Sequence, residues 1–296
     1  MQQASSELSL TQGRVCIALA AILWSLSGGF TKFLTGVMVQ EHGFDEVSAL
    51  QIAFYRVLFA GLVLAPGLRR ADLAFRPAML IMALSFAAMN ALFVSAMALG
   101  TAANAILLQY TAPMWMYLAS IWWLGERPER RSSIALLIGM LGIAVIIVGG
   151  WDGGQLLTIV IALGSGVTYA AVLLFLRLLR GLSPLWLTVW NHLLGALVLL
   201  PLIWNEPFPA WQQYVVLFLF GSIQMGLAYW LVARGLRVVS PQEAGAITLL
   251  EPLLNPVWAY LVWSKTETPP LVTYLGGALI VGALAWRYWP RASAKP

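Results

Sequence analysis

Ten hydrophobic stretches of about 19 to 25 residues run through this chain, and they constrain its fold more than any other feature. Each is close to the roughly 20 residues that a helix needs to cross the hydrocarbon core of a bilayer. Only 10% of the 296 residues are charged and 60% are apolar, which excludes a soluble globular fold. The sequence therefore predicts an all-α integral membrane protein with ten transmembrane helices. We place them near residues 14–38, 48–66, 77–99, 102–124, 132–150, 155–179, 184–204, 211–233, 241–263 and 270–288.

Lysine and arginine are distributed unevenly between alternate loops. Placing both termini in the cytoplasm puts fourteen of the seventeen cations on that side, as the positive-inside rule requires. The basic composition is therefore a signal of topology, and we expect no nucleic-acid partner. The sequence predicts a multi-pass protein of the bacterial inner membrane with both termini cytoplasmic.

The two halves of the chain repeat each other. Aligning Pro113 with Pro252 also brings Thr101 onto Ser240 and the start of the fourth span onto the start of the ninth. Because each half contains five spans, the second half enters the membrane from the opposite face, as in transporters built from inverted repeats around a midplane site. We therefore divide one membrane domain into two five-helix halves, residues 1–150 and 151–296.

Short motifs in both halves resemble the EamA family of ten-span permeases in the drug/metabolite transporter superfamily. They are Leu23-Trp24-Ser25, Tyr55-Arg56, the run Ala96 to Pro113, Gly125-Glu126-Arg127, Gly235-Leu236-Arg237, Ala244, Glu251-Pro252 and Gly276-Gly277. The second Gly-Glu loop of the family is replaced here by Ser264-Lys265-Thr266-Glu267. The resemblance implies a transporter of amino acids or other small metabolites, often an exporter.

Two charged residues lie close to the middle of their spans, Arg56 in the second and Glu251 in the ninth. A charge at the bilayer centre costs roughly 2.5 to 3.5 kcal/mol unless it is paired or hydrated. The two residues could form a buried ion pair that ties the halves together. Alternatively, Arg56 holds a substrate carboxylate, or Glu251 takes up a proton. The sequence leaves these alternatives open.

Other polar and aromatic residues in the spans complete the candidate site. In the ninth span Thr248, Glu251 and Asn255 share a helix face, and Tyr110 is one of the few aromatic residues away from the span ends. For each, helix packing is the alternative to ligand contact. The predicted substrate-binding residues are Trp24, Arg56, Asn90, Gln109, Tyr169, Gln224, Tyr229, Thr248, Glu251 and Asn255. At matching span ends, Lys32 and Arg177 are expected to extend to the membrane interface.

No hydrolase, metalloprotease or nucleotide-binding motif is present, and one cysteine and two isolated histidines exclude a His/Cys metal cluster. We therefore expect neither a cofactor nor an enzyme. The sequence predicts a secondary transporter, of exporter type, that moves amino acids or related amphipathic metabolites by alternating access through a central cavity. A flippase for lipids or polyprenyl carriers, and an uncoupled facilitator or channel, are the alternatives. The expected partners are a small-molecule substrate, the lipid bilayer and, where Glu251 titrates, protons; monomer and homodimer both stay open.

Overall fold

A computed structural model describes residues 8–150 and 155–289. Over these ranges the chain forms helices and connecting loops, without strands. We number the helical segments α1 to α10 along the chain. Their bounds are Leu10–Gln40 (α1), Ala49–Leu64 (α2), Ala78–Leu99 (α3), Ala102–Gln109 and Ala112–Trp122 (α4), Arg130–Gly150 (α5), Leu156–Leu178 (α6), Pro184–Ile203 (α7), Trp211–Gly235 (α8), Pro241–Thr248 and Leu250–Val262 (α9), and Leu271–Tyr288 (α10).

Nine helices within the described ranges are long and apolar enough to cross a membrane, so the chain is a multi-pass membrane protein. The continuous span expected near 102–124 is not among them. That region forms two shorter helices of 8 and 11 residues, which together make α4. The break follows from Pro113, which cannot donate a helical hydrogen bond.

Serine and threonine caps fix where several helices begin. The hydroxyls of Ser48, Thr101 and Ser240 accept hydrogen bonds from backbone amides three residues later, at 3.1 to 3.3 Å. Such caps satisfy amides that the first helical turn leaves without a partner, which is a strong requirement at a membrane surface. Thr101 and Ser240 therefore begin α4 and α9 in the same way, as their alignment in the sequence predicts.

The helices pack in pairs that are related by exchange of the two halves. Helix α3 lies along α6 and α1 along α8; α4 packs against α6 and α1 against α9. Two further pairs, α5 with α10 and α2 with α7, each join a helix to its own counterpart in the other half. The main helix pairs are thus matched between the halves, although smaller contacts such as α3 with α4 and α5 with α6 have no counterpart of the same extent.

Contacts between loops and helix ends define two ends of the bundle. At what we call the proximal end, Arg14 pairs with Glu243 at 2.6 Å, and a Cβ at Gly245 would lie 3.2 Å from the Tyr288 ring. At the distal end, Lys32 pairs with Glu267. Successive loops alternate between these ends, so the described chain begins and finishes at the proximal end.

Candidate functional site

Prolines interrupt α4 and α9 close to mid-depth. Pro252 has no N–H, so the carbonyl of Thr248, four residues earlier, lacks its helical donor. Pro113 likewise leaves the carbonyl of Gln109 without its helical donor. The first helical pieces end at Gln109 and Thr248. Both helices thus place irregular backbone in the middle of the bundle, where membrane transporters tolerate it only beside protein or a cavity.

The hydroxyl of Tyr110 joins the two broken helices. It lies 2.9 Å from the carbonyl oxygen of Thr248 and 2.8 Å from Oε2 of Glu251. A tyrosine hydroxyl carries one proton and can donate it to only one of these oxygens. The hydroxyl therefore donates to the Thr248 carbonyl or to the Glu251 carboxylate, and it accepts from Glu251 when that carboxyl group is protonated. Tyr110 thus links α4 to both the backbone and the Glu251 side chain of α9.

A cavity of about 180 Å³ lies beside this contact. Four of the residues predicted from the sequence line it, namely Trp24, Tyr169, Thr248 and Glu251. The other lining residues are Tyr110, Pro113, Leu173, Gly245, Leu249, Leu284 and Tyr288. Because Gly245 and Tyr288 belong to the proximal end, the cavity occupies the proximal half of the bundle.

Arg56 is buried behind the cavity, with 4% of its surface exposed. Its Nη2 donates to Oδ1 of Asn90 at 2.8 Å, whereas Nε and Nη1 have no hydrogen-bond partner in the described part of the chain. The guanidinium carbon lies 5.7 Å from the ring centre of Phe93 and 5.2 Å from that of Phe220. A guanidinium between aromatic rings gains a cation–π attraction, but its charge has no carboxylate beside it.

The ion pair between Arg56 and Glu251 that the sequence allowed is not formed. None of the ion pairs within 4.0 Å among the described residues includes either side chain. Tyr110 engages the Glu251 carboxyl group, while Asn90 holds the guanidinium on the other side. The two side chains are therefore not in direct contact, and each has a neutral hydrogen-bond partner.

Asn90, Gln224 and Tyr229 hold this central region together without lining the cavity. Nε2 of Gln224 donates to the carbonyl of Trp24 at 2.8 Å, and its Oε1 has no partner. The ring of Tyr229 stands edge-on to Trp24, with 5.3 Å between ring centres, and edge-on to His192 at 5.1 Å. The Trp24–Tyr229 pair thus forms the wall between the cavity and the region of Arg56.

Gln109 and Asn255 lie away from the cavity wall. Gln109 is buried, and its side chain makes no hydrogen bond within the described ranges. Asn255 is fully buried and donates from Nδ2 to the hydroxyl of Ser27 at 2.7 Å, which ties α9 to α1. Gly28 allows this close approach, because a Cβ there would lie 2.5 Å from Oδ1 of Asn255.

Sequence reasoning missed Tyr288 and gave Tyr110 no specific role. Tyr110 is identifiable as an interior aromatic residue, but its contact with Glu251 depends on how two broken helices meet. Tyr288 lies in the last turn of α10, where the sequence suggests only an interfacial aromatic. No sequence signal places it over the cavity.

Comparison with known proteins identifies the family. The EamA-like transporter family matches the chain twice, over residues 11–148 and 156–288. The chain belongs to the EamA-like transporter family. A protein of Archaeoglobus fulgidus, named only as an uncharacterized transporter, is 28% identical over 283 residues, which cover 93% of this chain and 96% of that protein. The pseudopaline exporter CntI of Pseudomonas aeruginosa is 27% identical over 89% of this chain and 94% of its own.

A solved crystal structure shares the fold of this EamA-like protein. It aligns with a TM-score of 0.62 and 19% identity, over 94% of this chain and 98% of that chain. At that identity the likeness shows the fold alone. The family match and the transporter relatives support a small-molecule transporter of the membrane, and they point away from enzymatic activity.

Proposed function

We propose that this protein is a secondary transporter that exports amino acids or related amphipathic metabolites bearing a carboxylate. The observation that carries the proposal is Arg56, a buried guanidinium with two nitrogens that lack a hydrogen-bond partner and with no carboxylate within 4.0 Å, among the residues that the structure describes. A buried charge without a counter-ion is costly, and a substrate carboxylate is the natural partner of a guanidinium. The Pseudomonas relative named as an exporter supports the outward direction.

An amino acid carries two groups that suit the two sides of the Trp24–Tyr229 wall. A carboxylate would pair with Arg56, and an ammonium group would face the Glu251 carboxyl group in the cavity. The cavity volume of about 180 Å³ is enough for a small metabolite and excludes a bulky lipid headgroup with its chains. In this proposal the aromatic wall must move for the substrate to touch both charges at once.

Alternating access follows from two halves of inverted topology. The double family match, the equivalent caps at Thr101 and Ser240, and the equivalent prolines all support a repeat of five helices. Helix pairing that survives exchange of the halves supports a pseudo-two-fold axis, which we place in the membrane plane. The broken helices α4 and α9 would then meet on that axis, beside the substrate.

The proximal end is proposed to face the cytoplasm, because it carries most of the arginine residues of the loops. Reporter fusions at the C-terminus and in the loop at 39–47 would then give opposite signals. A C-terminal reporter on the outer side would reverse the orientation.

Purified protein in proteoliposomes tests the substrate class. We expect transport of at least one labelled amino acid or related carboxylate, stimulated by an imposed pH gradient because Glu251 binds a proton. The matched amine that lacks the carboxylate should not be transported. Absence of transport for the whole carboxylate panel by correctly folded protein would overturn the proposal. Translocation of labelled phospholipid in the same vesicles would favour a flippase instead, and transport indifferent to the pH gradient would favour a facilitator.

A further inference from the structure

A buried ion pair lies at the distal end of the bundle. Nζ of Lys32 lies 2.9 Å from Oε1 of Glu267, and the two side chains are only 5% and 1% exposed. Nζ also donates to the carbonyl of Gly100 at 2.7 Å, while Oε2 of Glu267 accepts from the amide of Ala102 at 2.9 Å. Lys32 therefore does not extend to the interface as expected, because Glu267 supplies its counter-ion inside the protein. The pair joins α1, the start of α4 and the loop before α10.

Trp263 packs against α1 one turn beyond Lys32. Its side chain is 4% exposed, and a Cβ at Gly36 of α1 would lie 2.8 Å from its ring. Below it, Asn255 binds Ser27 across the same α1–α9 interface. The α1–α9 interface is thus closely packed between Asn255 and Trp263. A separate cavity of about 310 Å³ at the distal end is lined by Lys32, Gly36 and Trp263, whereas the cavity lined by Glu251 lies in the proximal half.

The repeat places an equivalent pair at the proximal end. Arg177, the counterpart of Lys32, binds Glu126 in the loop after α4, as Lys32 binds Glu267 in the loop after α9. These two side chains, however, are 44% and 40% exposed. The counterpart of Ala102 is Pro241, which has no N–H to offer a carboxylate. The same arrangement is therefore complete and buried at the distal end, and incomplete and exposed at the proximal end.

From this asymmetry we infer that Lys32 and Glu267 are the distal gate of the transport cycle. The pair holds the distal end shut while the cavity lies toward the proximal end, and it separates when the cavity opens to the distal side. An ion pair suits such a gate, because the cost of burying both charges is recovered when water reaches them. The inference rests on the proposed alternating-access function.

Thiol labelling measures the gate without any substrate. In a Cys16→Ser background, Thr31→Cys reports on the buried distal half and Leu173→Cys on the cavity wall. A membrane-impermeant thiol reagent is applied from either side of the membrane. Glu267→Gln retains an oxygen for the Ala102 amide but leaves Lys32 without its counter-ion. We expect at least tenfold faster labelling at position 31 from the distal side, and slower labelling at position 173 from the proximal side.

Two further variants make the test decisive. Lys265→Gln breaks the exposed Lys265–Glu41 pair in the same loop and should leave both labelling rates unchanged. The double variant Lys32→Met, Glu267→Gln replaces the ions by neutral groups and should label at position 31 no faster than the parent. If Glu267→Gln alone fails to fold, Lys32→Gln breaks the same pair and should give the same opposite changes at positions 31 and 173.

Opposite changes at the two reporters support the gate. Faster labelling at both positions would mean that the pair only stabilises the fold, and unchanged rates in Glu267→Gln would mean that it does not close the distal end. Either result overturns the inference. Because labelling requires no substrate, a failed gate is distinguishable from a wrong substrate class.

Discussion

Arg56 and Glu251 illustrate what single residues reveal before a structure is known. Their positions within hydrophobic stretches predict that both lie near mid-depth, and α2 and α9 place them there. Their partners are not predictable, because a partner depends on helix rotation and on which neutral groups compete for it. In the structure Asn90 is the hydrogen-bond partner of Arg56, and Tyr110 is that of Glu251.

Replacing Arg56 by glutamine separates a substrate anchor from a structural cation. Since the guanidinium has no counter-ion, we expect the variant to keep or raise the Tm of the ligand-free protein, because an uncompensated buried charge is removed. The rise in Tm that a carboxylate substrate gives the parent should disappear. Thermal unfolding in detergent, with exposed Arg127→Gln as control, measures both effects. A large loss of Tm without ligand would show that Arg56 serves the fold.

At the scale of elements, the helix bounds follow from hydropathy and caps, but the breaks do not. The stretch near 102–124 is apolar throughout, and its proline could have produced a mild kink. Instead the chain separates into two helices around Tyr110 and Thr111. Pro113 removes one helical hydrogen bond, and close packing accompanies the full break: a Cβ at Gly166 of α6 would be 2.7 Å from the carbonyl of Leu108. Such a contact joins residues far apart in sequence and has no local signal.

Restoring the missing amide in α9 should repair the helix and impair transport. Pro252→Ala returns an N–H to the Thr248 carbonyl, a hydrogen bond contributing about 0.5 to 1.5 kcal/mol, so Tm should not fall. The carbonyl then no longer needs Tyr110, and the contact with α4 is weakened. We expect transport in proteoliposomes to drop at least tenfold. Pro256→Ala, one turn further along the same helix, should transport normally.

The α5–α10 interface depends on glycines at one crossing point. A Cβ at Gly276 would lie 2.6 Å from the carbonyl of Gly142, and the reverse distance is also 2.6 Å. Gly276→Leu should therefore destabilise the protein by about 1 to 3 kcal/mol through overpacking. Gly282→Leu, in the same helix with no atom within 4 Å, is the matched control. Equal Tm values for the two variants would contradict this interface.

At the scale of the molecule, membrane insertion and family were accessible from the sequence, because they depend on hydropathy and on motifs spread along the chain. The double family match confirms the resemblance. The buried ion pair at the distal end could not be predicted from the sequence. Lys32 and Glu267 are 235 positions apart in the chain, and nothing local distinguishes this buried lysine from Arg177, whose pair is exposed. The Arg177 guanidinium also holds the pKa of Glu126 below its usual value.

The transport role of the central cavity is tested most directly by the pH dependence of transport in two glutamate variants of α9. Glu251→Gln keeps the shape of the side chain and the contact with Tyr110 but cannot release a proton. We expect it to fold normally and to lose transport or its response to pH. Glu243→Gln, at the proximal end and paired with Arg14, should behave as the parent. Transport by well-folded Glu251→Gln with the pH dependence of the parent would contradict the account.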